Sequence, residues 1–125
     1  MDISFEPIRD LYSKNNLMTT IKIMSDYHCS PIWIKSPGGF FENVPVDILE
    51  VNENFKSRIL EWDSIYQSTL DMDNPSKSDF PSQKDREDFE KIGLELYKEL
   101  GDLLSKNYVL LYYSVIHHKV LKENY

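Results

Sequence analysis

Four short stretches of this chain have residue types that could do chemistry. His28-Cys29 sets an imidazole beside a thiol, the start of an activated nucleophile. His117-His118 offers two metal-binding side chains. Asp71, Asp73, Asn74 and Asp79 gather oxygen ligands as a calcium loop does, and Pro37-Gly38-Gly39 supplies the glycines of a tight loop. The spacing argues against each. Neighbouring residues on an extended chain point to opposite faces, so neither His28 and Cys29 nor His117 and His118 converge on one point. The acidic stretch lacks the glycine and closing glutamate of an EF-hand, and Gly38-Gly39 lacks the spacing and lysine of a phosphate loop. The expectation is a non-enzyme with no catalytic residue, no cofactor and no metal, in which Cys29 is a small buried residue. A small hydrolase using His28 or Cys29 is kept only as an alternative.

The elements that position these residues are easier to read. Asn52–Leu70 predicts a long helix, because Phe55, Ile59, Trp62, Tyr66 and Leu70 recur at helical spacing along one face. The opposite face carries Lys56, Ser57, Glu61, Asp63, Ser64 and Gln67. Asn52 is the expected N-cap and Glu53 complements the helix dipole. A polar loop, Asp71–Pro81, follows, with Met72 and Phe80 as its only candidate anchors. Ser82 then opens a second helix, with Asp85 three residues on in the manner of a capping box. Its apolar stripe reads Phe89, Ile92, Leu96, Leu100 and Leu103. Gly93 on the same side permits a close backbone approach, and Asn107 is the expected stop.

Thr19–His28 reads as a strand and Ile32–Ile34 as a short second one. Phe40-Phe41 would anchor the glycine loop on the domain, and Val44–Leu49 continues irregularly. Tyr108–Ile116, apolar on both faces, reads as an interior strand, and Val120–Tyr125 as a tail. The fold class is α/β (α+β): one small domain, a three- or four-stranded sheet with two long helices packed on one face. The first and last strands could pair antiparallel or, with a long crossover, parallel. Residues 19–125 form this domain, and residues 1–18 an N-terminal extension in which Met18 stands where a shorter product could start.

A chain of 125 residues, 41% hydrophobic, holds one core. It has no membrane-length apolar run, no secretory signal pattern and one cysteine, which together suggest a soluble cytoplasmic protein. Net charge is −7, with thirteen acids and five bases between Glu42 and Glu90. That sign opposes nucleic-acid binding and favours a basic protein partner, although the same balance also serves plain solubility.

Ser25–Trp33 (SDYHCSPIW), Asn43-Val44-Pro45, Leu60-Glu61-Trp62, Tyr66–Leu70 (YQSTL) and Asp73–Phe80 (DNPSKSDF) together resemble a family of small acidic bacterial proteins. Many of its members are similar to immunity proteins of polymorphic toxin and contact-dependent growth inhibition systems. The resemblance spans about Ile21 to Leu104. Asp79 departs from the pattern, which has a small residue before Phe80, and Phe40-Phe41 replaces a more polar loop. The resemblance implies a monomer that binds one cognate toxin domain, with neither nucleic acid nor membrane as partner. Nuclease toxins are commonly basic, which suits an acidic inhibitor. The candidate partner-binding residues are Glu42, Asp47, Glu61, Asp63, Asp71 and Asp73, with Trp33 and Phe41 as apolar anchors. A regulatory or adaptor module for another basic partner is the competing expectation.

Overall fold

Isoleucines at alternate positions of Thr19–Ile23 (β1) put one face of that strand wholly inside the protein. In the computed structural model, which describes residues 18–104 and 107–122, β1 is the middle of a five-stranded sheet. The other strands are Ile32–Lys35 (β2), Phe41–Val44 (β3), Tyr108–Ser114 (β4) and Lys119–Lys122 (β5), in the order β3-β2-β1-β4-β5. β1 pairs with β4 in parallel, Thr19 opposite Tyr108, while every other neighbouring pair is antiparallel. The parallel arrangement is the one realised, so both helices belong to the crossover between β1 and β4.

The sheet has one strand more than the upper expectation. Thr19–His28 stops at Ile23 because a turn follows, closed by the Cys29 amide donating to the Asp26 carbonyl at 3.2 Å. Phe41–Val44 becomes an edge strand. Ser36–Phe40 closes its hairpin with β2 through a 2.7 Å bond from the Ser36 amide to the Phe40 carbonyl, and Gly39 at φ +92° takes a conformation that side chains disfavour. Phe40 does not anchor this loop, being 78% exposed. β4 ends at Ser114, and His118, at φ 54°, turns the chain back into β5 where a tail was expected. The first seventeen residues, and with them the extension apart from Met18, lie outside the described residues.

The two helices are Glu53–Gln67 (α1) and Gln83–Leu103 (α2). Asn52 caps α1 by accepting from the Phe55 amide at 2.8 Å. Ser82 caps α2, its Oγ accepting from the Asp85 amide at 3.1 Å and donating to the Asp85 carboxylate at 2.7 Å. A 3-10 turn, Val46–Ile48, leads into α1 and buries Val46, Ile48 and Leu49 beneath it. The helices meet the sheet through Trp62, 2% exposed, whose ring stacks on Phe89 with centroids 4.5 Å apart. Its Nε1 donates to the Phe89 carbonyl at 2.9 Å. Gly93 faces this contact, and a Cβ there would lie 2.7 Å from the Trp62 ring and nearer still to the Tyr112 hydroxyl.

The inward stripe of α2 is rotated from the one expected. Phe89, Leu96 and Leu100 are buried as expected, but Tyr97 and Glu90 join them while Ile92 and Leu103 stay 39% exposed. In the loop between the helices Phe80 is an anchor, 5.2 Å from Phe89 between ring centroids, and Met72 is not, being 77% exposed.

Two substitutions check this packing. Trp62→Ala should cost about 3–5 kcal/mol, as for other buried aromatics, read as a lowered denaturant midpoint. Gly93→Ala adds one methyl where no room exists and should cost roughly 1–3 kcal/mol. An alanine at 93 that leaves the midpoint unchanged would mean that α2 can move off the sheet freely.

Candidate partner-binding surface

The expected anchors Trp33 and Phe41 do come together, on the face of the sheet away from the helices. They flank Lys22, whose Nζ lies 5.6 Å from the Trp33 ring centroid and 4.3 Å from that of Phe41. Burial lowers the pKa of Lys22. Trp33 is half-buried and its indole donates to the Met24 carbonyl at 2.9 Å, so it also ties β2 to the end of β1.

The acids spread over several elements. Glu42 is exposed on edge strand β3, and Asp47 is exposed in the 3-10 turn, 3.9 Å from Lys56. Glu61 is exposed on the outside of α1. Asp71 and Asp73 share the loop after α1, where Asp71 has a structural task. Its Oδ1 accepts from the amides of Asp73 and Asn74, both at 3.0 Å, and its own amide donates to Ser78 Oγ at 2.7 Å. Asp79, the departure from the family pattern, accepts from the Phe80 amide and pairs with Arg86, which holds its pKa below the usual carboxylate range.

Asp63 corrects the expectation that all six acids lie on the surface. It is only 7% exposed, faces the chain that leaves β1, and accepts a 2.7 Å bond from Ser25 Oγ. Gln67 Nε2 stands 3.3–3.4 Å from both of its oxygens. Burying a carboxylate is tolerable when its lone pairs are met, even without a cation. Burial raises the pKa of Asp63, and the bonds from Ser25 and Gln67 oppose that rise.

Gln67 joins this cluster to the rest of the Ser25–Trp33 stretch. Its Oε1 accepts from the His28 amide at 3.0 Å, and its Nε2 donates to the Asp26 carbonyl at 2.9 Å. The Tyr27 and Thr69 hydroxyls are bonded at 2.5 Å, and the Tyr27 ring lies 4.7 Å from that of Tyr66. The Tyr66 phenol, half-buried beside Tyr27 and Asp26, is pushed up to about 12. Asn43 holds the far end, accepting from the Ser30 amide at 3.0 Å and donating to the Ser30 and Ile32 carbonyls. His28 and Cys29 therefore sit in a turn clamped to α1, with Cys29 half-buried, less than expected.

A second buried carboxylate escaped the sequence reading. Glu90, 5% exposed on α2, accepts from the Tyr112 hydroxyl at 3.1 Å, from Ser114 Oγ, and from the Val115 amide at 3.2 Å. Burial, and the nearby Glu90 carboxylate, push the Tyr112 phenol far up. The spacing from Tyr97 could have placed Glu90 on the inward face; its bonding partners lie too far along the chain to be read.

Two concave regions remain. One, of about 520 Å³, lies beyond the carboxyl ends of β1 and β4, where the chain turns left and right to different neighbours; Tyr27, Tyr66, Phe80, Arg86, Tyr113 and His118 line it. The other, of about 400 Å³, is a groove between α1 and α2 that contains Glu61. Among the described residues no group of three or more His, Cys, Asp or Glu side chains is placed to hold a metal, and no helix is long and apolar enough to cross a membrane.

This architecture, two helices on a mixed sheet with the Ser25–Trp33 stretch clamped to α1, has a family. Residues 19–115 match the model of the Serratia CdiI immunity protein-like family, and the chain belongs to it. That family is one of contact-dependent growth inhibition immunity protein-like members, which supports an immunity function. Comparison with curated proteins gave no match.

Asp63 and Glu61 give opposite expectations for charge reversal. Asp63→Lys should cost more than about 3 kcal/mol, the scale of an uncompensated buried charge, whereas Glu61→Lys should leave the melting temperature unchanged. The Asp63 pKa is higher folded than unfolded, so the folded state holds more protons between the two values. Stability should therefore fall as pH rises from the ordinary carboxylate value through the raised one, and Asp63→Asn should flatten that slope in denaturation curves taken across acidic pH.

Proposed function

We propose that this protein neutralises one cognate toxin domain, a basic nuclease, by covering its substrate-binding surface with an acidic surface. The reading also has it act as a monomer in the cytoplasm, without catalysis. One observation carries it. Of the thirteen acids between Glu42 and Glu90, only Asp63 and Glu90 are buried; the other eleven are exposed, against five bases of which three are half-buried. The core uses two of these carboxylates, and the others stand exposed on the surface. A surface of that sign repels phosphates and draws a basic protein, speeding encounter.

The test is association with the C-terminal domain of a secreted toxin, where one is encoded immediately upstream of this gene. The pair should co-purify, and the association rate should fall as ionic strength rises, through screening. Asp73→Lys combined with Glu61→Lys should slow association without changing the melting temperature. Failure of the wild-type protein to bind that domain at micromolar concentration would sink the immunity reading.

A further inference from the structure

The groove between α1 and α2 has an apolar floor and acidic margins. Trp62 and Leu96 form its base, and Ile65 of α1 and Ile92 of α2 rise on its two sides. Ile65 is 42% exposed and Ile92 39% exposed. Each buries part of its side chain against its neighbours and leaves an apolar remainder facing the groove. Glu61 stands one turn before Ile65, and Glu95 follows Ile92 by three residues, so each isoleucine has an acid on its own helical face. Arg58 and Glu99 close one end by pairing with each other through both guanidinium nitrogens. Glu61 and Glu95 form no ion pair among the described residues.

We propose that this groove is the centre of the toxin contact and receives an apolar side chain of the toxin flanked by arginine or lysine, with Ile65 and Ile92 gripping the apolar group and Glu61 and Glu95 meeting the cations. The proposal rests on the immunity reading and narrows it from an acidic surface to one site. Charge complementarity selects the occupant. Two carboxylates without an ion-pair partner among the described residues, beside an apolar floor, favour a cationic, amphipathic segment, and a second copy of this acidic chain would bring like charges together. Apolar centres with charged rims are also how tight interfaces divide their work: the buried anchors slow dissociation and the rim charges speed association. The larger cleft at the strand ends is less suited to a cation, because Asp79, the one carboxylate among its described lining residues, is already paired with Arg86.

The division makes the test specific. The probe is the upstream-encoded toxin domain, and the readouts are association and dissociation rates at two salt concentrations. Glu61→Lys/Glu95→Lys should slow association at least tenfold at low salt, a difference that shrinks at high salt. Ile65→Ala/Ile92→Ala should speed dissociation at least tenfold with little salt dependence. The charge variant should melt as the wild type does, and the isoleucine variant, whose side chains are partly buried, should melt lower but remain folded at the temperature of the rate measurements. Hydrogen exchange on the wild-type complex supplies a second measurement that needs no variant, with protection expected at residues 58–65 and 92–99. If the toxin binds but both variants keep wild-type rates and protection falls around Tyr113 and His118 instead, the groove proposal is wrong and the immunity reading stands. If the wild-type protein does not bind at all, both fall.

Discussion

The rest of the structure depends on the seat of Trp62. Its ring lies on Phe89, its Nε1 is tied to the Phe89 carbonyl, and its edge meets α2 at Gly93, where a side chain would not fit. That one contact sets how near the two helices lie to each other and how near α2 lies to β4. Tyr112 is drawn into the same place, 6.3 Å from Trp62 between centroids, and its hydroxyl reaches Glu90. A densely packed interior transmits such a constraint because it has no slack. The spacing of the helices in turn leaves an open groove on their outer side, so the inner contact also shapes the outer surface.

The polar interior is arranged around two carboxylates that have hydrogen-bond donors and no cation. Asp63 holds the chain leaving β1, and Glu90 holds the chain leaving β4. These are the parallel strands, and at their carboxyl ends the chain must turn away in opposite directions. Each turn exposes backbone groups that need partners, and each helix supplies one acid to help organise them. The segments that carry the family resemblance fall largely on this construction. Asp26 and Tyr27 on one side meet Tyr66, Gln67 and Thr69 on the other, so these two parts of the pattern are two sides of one contact. The pattern thus marks the scaffold, whereas the groove residues Ile92 and Glu95 lie outside it.

Local signals in the sequence were readable where they were strong. The Asn52 and Ser82 caps, the facing of Trp62, the close approach at Gly93 and the alternation of β1 all follow from spacing and residue type. The edge strands β3 and β5 were not legible, because neither FENV nor KVLK alternates apolar with polar residues. Asp63 was misplaced because its burial depends on Ser25, thirty-eight residues away, and a helical wheel shows only the helix's own residues. The same limit hid the groove. Ile92 belongs to an apolar stripe by period, but whether the core is wide enough to cover it depends on how far α2 is rotated against the sheet. The eight candidate contact residues divide accordingly. The structure brings Trp33 and Phe41 together over Lys22, removes Asp63 from the surface, gives Asp71 a turn to hold, and leaves Glu61 beside an apolar groove.

The parallel ladder between β1 and β4 also imposes an order on synthesis. Thr19 and Tyr108 are partners about ninety residues apart, so the middle of the sheet is closed by the contact longest in sequence. As the chain is made from its N-terminus, β1, β2 and β3 can pair early, and α1 and α2 follow with half a sheet to rest on. Until β4 is made, β1 presents an unpaired edge, Trp62 lacks Tyr112, and Glu90 lacks the hydroxyls that satisfy it. Closing so long a loop is slow compared with local pairing. A growing chain of this design therefore keeps a set of apolar faces exposed until β4 and β5 are made and convert them into a folded domain.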